Sequence, residues 1–499
     1  MRLNRAFRVL LPVLLFSTLG FVAMGYHPGA EDDGIYLTSV EAQLNPALFS
    51  HDAAFFQLQM RTSVFDTWMA YFVRCTGMSV AWAELFWQAI SIVLILWACW
   101  NIVSQLFEEA AARWAGVAMV AAMFTLPVSG TALYLLDQHL HPRGIATALI
   151  LWCVERTLAG RRWQAFPLLV VGFLLHPLMG ALGIAFCFTL TFTLFEPLHA
   201  HIRVLRARWV QEAAAPVAAL IPLGWIFDPP TQTWLDALHQ RHLYLLYQWE
   251  WYEWLGAIGP LVLFGLAAWF ARRRGETKLS RFAVAIFLYG ALIQIFSMII
   301  LSPLAPVGLS TLEPMRYLHL VYIFLSLVGG AYLGKYLLKE RVWRWVVFLL
   351  VANCGMFVAQ RQLFAGTAHV ELPGAQTGNP WLQSFDWIRH NTPEDAYFVL
   401  DPYYMAVPGE DYHSFRALAE RGQLADGIKD TAVVTKQAEL APVWKQQIDA
   451  QAGWSHFQLT DFERLKAQFG VNWALVSDPA PAGLDCRWHN GTLAVCKIP

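Results

Sequence analysis

Residues 161–195 read RRWQAFPLLVVGFLLHPLMGALGIAFCFTLTFTLF, and whether they form one helix or two decides how the chain threads a bilayer. As a single helix, the stretch would put Arg161-Arg162 on one side and Arg203, Arg206 and Arg208 on the other. Cytoplasmic loops collect Lys and Arg, so both clusters belong on the same side. Proline removes a backbone donor and pushes its predecessor away from helical geometry, which makes His176-Pro177 the natural break. The sequence therefore predicts a hairpin of two short helices, Trp163–Leu175 and Leu178–Phe195.

The rest of the composition agrees with a membrane reading. Of 499 residues, 57% are hydrophobic and 14% charged, and there are 23 Trp; mean hydropathy is +0.42. Soluble domains carry about 25% charged residues. The shortfall, with repeated apolar stretches of about 20 residues, predicts a polytopic α-helical membrane protein. Further spans are expected at Phe7–Tyr26, Ala83–Phe107, Ala115–Leu136, Gly144–Leu158, Ala213–Phe227, Gly256–Phe270, Phe282–Leu301, Tyr317–Leu338 and Val342–Ala359, about eleven in all. With the N-terminus inside, residues 1–361 place 19 Lys/Arg on the cytoplasmic side and 6 outside. The opening Met1–Arg8 and apolar Val9–Met24 have the layout of a signal peptide. The apolar run is longer than an h-region and no Ala-x-Ala site follows, so an uncleaved first span is expected. A formal charge of −1 and the absence of a basic patch give no footing for nucleic acid.

This topology exports loops 27–82, Asp137–Arg143, Asp228–Trp254 and Ser302–Arg316, together with everything after residue 361. Residues 1–361 read as a transmembrane domain and 362–499 as a small extracytoplasmic α/β domain. The latter has 16 acidic and 10 basic side chains, follows a turn-rich Pro373–Gly378 run, and mixes strand signals (Ala396–Leu400, Trp473–Val476) with helical ones (Trp381–His390, Ser414–Arg421, Asp461–Phe469). Five of seven cysteines are scattered without metal-ligand spacing. Cys486 and Cys496 flank a hairpin-like segment, where an extracytoplasmic placement permits a disulfide. The chain is thus expected in the cytoplasmic (inner) membrane, with the N-terminus cytoplasmic and the tail periplasmic.

The polar residues of the outer face are the candidates for chemistry. The turn His27-Pro-Gly-Ala-Glu-Asp-Asp33 directly follows the first span, and its Glu31, Asp32 and Asp33 could supply a general base or a ligand for a divalent cation. The alternative is a solvated turn. In Asp137-Gln-His-Leu-His-Pro-Arg143, His139 and His141 could be metal ligands, but a His-x-His pair often occurs without metal. Arg143 stands against the positive-inside bias and suits a phosphate, which a guanidinium holds by two parallel hydrogen bonds. His176 either caps its turn or faces substrate. Arg241 and His242 lie in an aromatic run (Tyr244 to Trp254) that reads as an interfacial belt or as a platform for an amphipathic sugar. Arg316 repeats the unusual outside placement of Arg143, and Glu313 is a ready partner for it.

The pattern resembles the GT-C class of integral membrane glycosyltransferases, which use polyprenyl-phosphate-linked sugars. The shared features are an acidic first outer loop, many helices of uneven length, outer-face arginines and a C-terminal extracytoplasmic domain. Trp387-Ile-Arg-His-Asn-Thr-Pro-Glu-Asp-Ala396 is similar to the entry to the soluble domain of oligosaccharyltransferase catalytic subunits. The Trp-Trp-Asp-Tyr-Gly motif expected after it is replaced by Leu400-Asp-Pro-Tyr-Tyr404, against asparagine-linked transfer. A group of bacterial membrane proteins is more similar still, sharing the Glu-Asp-Asp turn, the His-Pro break and a tail like Phe415-Arg416…Arg421…Lys429-Asp430…Trp444. The resemblance implies a lipid-linked sugar donor, Asp32 or Asp33 as base on the acceptor, and Arg143 and Arg316 on the lipid phosphate. Arg416, Arg421 and Lys429 would bind acceptor or close over the site; surface ion pairs are the alternative. Other readings of the outer-face cluster are a polysaccharide polymerase or ligase, a transporter, and a non-catalytic assembly protein.

Overall fold

The computed structural model describes residues 2–194 and 229–499. The expected helix at Ala213–Phe227, and Arg203, Arg206 and Arg208, lie outside the described residues. The chain begins with α1 (Arg2–Met24), after which the long connection 27–82 is itself helical: α2 (Asp33–Leu44), α3 (Ala54–Thr62) and α4 (Phe65–Thr76). Next come α5 (Val80–Leu106), α6 (Ala110–Ala122), α7 (Pro142–Leu158), α8 (Arg162–Leu175) and α9 (Pro177–Leu194). Later membrane helices are Trp251–Arg273, Thr277–Ile300, Leu318–Leu333 and Val342–Leu363. Among the described residues six segments are long and apolar enough to cross a membrane: Val80–Leu106, Pro177–Leu194, Trp251–Arg273, Thr277–Ile300, Val307–Leu338 and Val342–Leu363. Three shorter apolar helices, Arg8–Met24, Ala110–Ala122 and Arg162–Leu175, accompany them.

Local chemistry sets the boundaries. The Ser79 hydroxyl accepts from the Trp82 amide at the start of α5, and His141 caps α7 with Pro142 in its first turn, where a missing N–H costs nothing. The hairpin of α8 and α9 breaks at His176-Pro177 as expected. Its legs meet backbone to backbone, since a Cβ on Gly180 would come within 2.4 Å of the Phe173 Cα. α7 is buried on nearly every side, as a helix surrounded by others should be.

One expected span is corrected. The apolar stretch Ala115–Leu136 does not continue as a helix past Ala122; β1 (Pro127–Val128) pairs antiparallel with β2 (Leu133–Tyr134). Pro127 lacks a ladder donor and Gly130 turns the chain at positive φ, so mean apolarity concealed two turn residues.

The tail contains a five-stranded sheet of order β4-β3-β5-β7-β6, built from β3 (Tyr397–Val399), β4 (Gly422–Gln423), β5 (Trp473–Ser477), β6 (Asp485–His489) and β7 (Leu493–Lys497). β3 runs parallel to β4 and β5, whereas β7 is antiparallel to both β5 and β6. Cys486 and Cys496 face each other across β6 and β7 and form a disulfide. The tail is sewn to the membrane part. Backbone bridges join Tyr26 to Val370 and Ala30 to His413. A core of Phe55, Trp234, Leu238, Tyr244, Val434 and Trp444 draws on segment 27–82, residues 232–246 and the tail together.

Candidate active site

The acidic turn is clamped from both sides. The His27 amide donates to the Gln138 carbonyl (2.8 Å), the Glu31 amide to the Tyr412 carbonyl (2.9 Å) and the Ser414 amide to the Gly29 carbonyl (2.7 Å). These bonds hold Glu31 at a φ of 53°, a left-handed conformation that costs a β-substituted residue about 1–3 kcal/mol. The turn thereby sends its carboxylates in different directions. Asp33 points inward, 1% exposed, and accepts from the Gly29 amide at 2.8 Å. Burial and the neighbouring Glu84 push its carboxyl well above the usual range. Asp32 and Glu31 instead face a cavity of about 750 Å³.

Helix α7 brings the second polar cluster to that cavity. His141 accepts the Arg143 amide hydrogen at Nδ1 (2.9 Å), which leaves the proton of a neutral ring on Nε2, 3.6 Å from the Asp32 carboxylate. The ring of Tyr36 lies edge-on to His141 at 4.5 Å. Arg143 donates through Nη2 to Asp137 at 2.5 Å, while its Nε and Nη1 are buried without a partner. The tail contributes Lys429, whose ammonium pairs with Glu31 and lies 3.2 Å from Asp32. Burial opposes the Lys429 charge, but the two carboxylates push the group up to about 12. Burial would likewise raise Asp32; Lys429 and His141 outweigh it and hold the carboxyl well below the usual range.

A second, more apolar cavity of about 460 Å³ is lined by Ile35, Phe55, Leu58, Leu175, Leu178 and Val433, with His176 at its wall. Asp32, Arg241 and Arg316 line both cavities, so the two meet there. Arg316 pairs through Nε with Glu313 at 2.8 Å. Glu313 also takes Lys436 at 3.1 Å and the Tyr244 hydroxyl at 2.8 Å. His242 stands at the rim of the larger cavity, 2.8 Å from Glu253. Asp137, Tyr36 and Lys436 were not picked out from the sequence. Asp137 could have been, because it opens the same Asp137–Arg143 cluster.

His139 faces the larger cavity with neither ring nitrogen hydrogen-bonded, and burial drives its imidazole down to about 3. It is neutral when folded, whereas an unfolded histidine takes a proton below about 6.5. Between those values the unfolded state binds more protons, so stability falls as pH drops from 6.5 toward 3. Thermal unfolding of His139→Asn should show a shallower loss across that window. An unchanged slope would contradict a buried neutral His139.

Two expected binding residues serve the fold. Arg416 is 3% exposed, bonds Asp52 through Nε at 2.5 Å and forks onto Asp430 at 2.8 and 2.9 Å. Arg421 donates to the Thr392 hydroxyl (3.0 Å) and to the carbonyls of Arg389 (2.8 Å) and Thr392 (2.7 Å). Neither lines the two cavities, and neither is a surface ion pair. Of the three tail residues expected there, only Lys429 lines the larger cavity. A divalent cation between Asp32 and Asp137 meets carboxylates already taken by Lys429, His141 and Arg143. That donor set does not fit a metal.

No protein-family description and no curated protein matches the chain. Among solved structures it is similar to the archaeal oligosaccharyltransferase AglB from Archaeoglobus fulgidus, a GT-C fold in complex with an inhibitory peptide and a dolichol-phosphate. The identity is 13% and the TM-score 0.40, with 93% of this chain and 69% of that chain covered.

Proposed function

We propose that this protein is a membrane glycosyltransferase that moves a sugar from a polyprenyl-phosphate carrier to an acceptor at the outer face of the cytoplasmic membrane. The reading rests on one observation: a charged cavity and an apolar cavity meet at Asp32, Arg241 and Arg316. An amphipathic donor needs that junction. Its isoprenoid tail takes the apolar side, its phosphate the arginines, and its sugar the charged side. Orientation is supported by the distribution of Lys and Arg and by the Cys486–Cys496 disulfide, which suits an oxidising compartment.

In the proposed step the acceptor nucleophile bonds to the anomeric carbon as the bond from that carbon to the phosphate oxygen breaks. The electron pair leaves with the phosphate, whose growing charge Arg316 and Arg241 neutralise, with the unpartnered nitrogens of Arg143 nearby. The acceptor proton passes to Asp32. A carboxylate held this far down is a weak base, so transfer comes late, once the nucleophile has turned acidic. His141, locked by the Arg143 amide, orients the carboxylate.

Arg316→Ala should lower transfer of a radiolabelled sugar from its polyprenyl-phosphate carrier by about 10²–10³-fold, the usual effect of losing one charge-stabilising donor. Arg316→Lys should recover part of it. Wild-type transfer in Arg316→Ala membranes, at equal protein level, would remove the junction from the reaction.

A further inference from the structure

Outside the two cavities, three side chains from distant parts of the chain meet at the start of the acidic turn. His27 Nδ1, the Glu371 carboxylate and His413 Nε2 all lie within 4.8 Å of one another. His27 Nδ1 is 2.6 Å from Glu371 Oε1, and His413 Nε2 is 3.2 Å from each carboxylate oxygen. Both histidines are fully buried and Glu371 is 14% exposed. We propose that His27, Glu371 and His413 form a binding site for a zinc-class divalent cation that fastens the tail to the acidic turn.

The surrounding bonds favour ligation. His413 Nδ1 donates to the Glu410 carbonyl at 3.0 Å, so Nε2 is the nitrogen directed at the carboxylate; without a cation it holds the proton of an ion pair with Glu371, and it would release that proton on binding one. A metal-bound histidine characteristically gives its other N–H to a carbonyl in this way, fixing tautomer and ring plane. Phe364 stacks on the His27 ring with centroids 3.9 Å apart and planes 9° from parallel, so this ligand too is held in orientation. Ligands about 2.0–2.1 Å from a tetrahedral ion lie a little over 3 Å apart. The separation of His413 from the carboxylate is already of that size, whereas His27 Nδ1, at 2.6 Å, would draw back by about half an ångström to share an ion. Two imidazoles and one carboxylate select Zn²⁺-like ions over Mg²⁺ or Ca²⁺, which prefer all-oxygen shells.

Such an ion would reinforce the backbone bonds that already join three segments here. His27 opens the acidic turn five residues before Asp32. Glu371 follows the last membrane helix, and His413 belongs to the tail, next to the backbone bridge from Ala30. The ion acts as a clasp that sets the turn's entry angle and keeps Lys429 over the cavity. Its presence is read by binding alone, so its failure leaves the transfer reaction untouched.

The test uses full-length protein in detergent, stripped by a chelator and titrated with Zn²⁺ alone. One tightly held equivalent per chain is expected. His413→Ala and Glu371→Gln should each weaken it at least tenfold, while the exposed His390→Ala leaves it unchanged. No tight equivalent in the wild type, or equal retention in the two ligand variants, overturns the proposal; the triad would then hold a proton instead. A measurement free of variants guards against misfolding: pulsed EPR of the wild-type protein loaded with one equivalent of Cu²⁺. Modulation from two imidazoles supports the site, and modulation from fewer overturns it.

Discussion

Asp32→Asn is expected to lower sugar transfer by about 10²–10⁴-fold, the range attributed to a positioned general base. Asp33→Asn is expected to retain most activity. The neighbours differ by one position and by everything in their surroundings. Asp32 lines both cavities and faces Lys429 and His141, whereas Asp33 is buried and bonded to the Gly29 amide. An asparagine at 33 can still accept that amide hydrogen and can donate to Glu84. An asparagine at 32 accepts no proton, yet Lys429 keeps Glu31 as a partner and the fold is not left with a lone buried cation. The comparison is a transfer assay on both variants in membranes, at matched protein level and after a detergent-stability check. Equal activities would sink the assignment to Asp32. Transfer that survives Asp32→Asn but fails in Arg316→Ala would point instead to a ligase driven by phosphate stabilisation alone.

Arg416→Ala should destabilise the protein by about 3–5 kcal/mol, the cost of removing one partner from a buried ion pair. The guanidinium ties Asp52 of segment 27–82 to Asp430 of the tail, and both carboxylates are 2% exposed. Without it two anions remain in a dry site, and the first segment to part is the contact between tail and loop. Unfolding followed by Trp fluorescence in detergent would measure the loss. Adding Asp52→Asn and Asp430→Asn should restore part of it by removing the stranded charges. The exposed pair Arg487–Asp485 is the control, since Arg487→Ala is expected to change little. A near-neutral Arg416→Ala would mean that the tail is held by its apolar core instead.

Much of the architecture was legible because membrane helices are local. A run of apolar residues and a proline at 177 act within a few positions of themselves, and the helices run and break there. The tail's strands and the Cys486–Cys496 pairing were likewise written into short segments. The stretch after Ala122 was misread because averaging hydropathy over twenty residues dilutes Pro127 and Gly130, which decide the backbone by themselves. At the site, the sequence put Glu31, Asp32, Arg143 and Arg316 on one face. Periodicity carried no signal for Lys436 or Tyr36, whose roles depend on elements far away in the chain.

The sequence alone determined that this is a multi-helix membrane protein with an α/β tail and unusual charges in the connections between its helices. Those properties follow from composition and spacing, which the chain carries without folding. Only the tertiary structure decided which charges work together. It turned Asp33 inward and Asp32 outward, made Arg416 a staple, and brought Lys429 across nearly four hundred residues to the acidic turn. The physical reason is that burial and pairing are properties of neighbours in space. Two adjacent carboxylates are alike in sequence and become opposites once one is sealed against Gly29 and the other faces a cation.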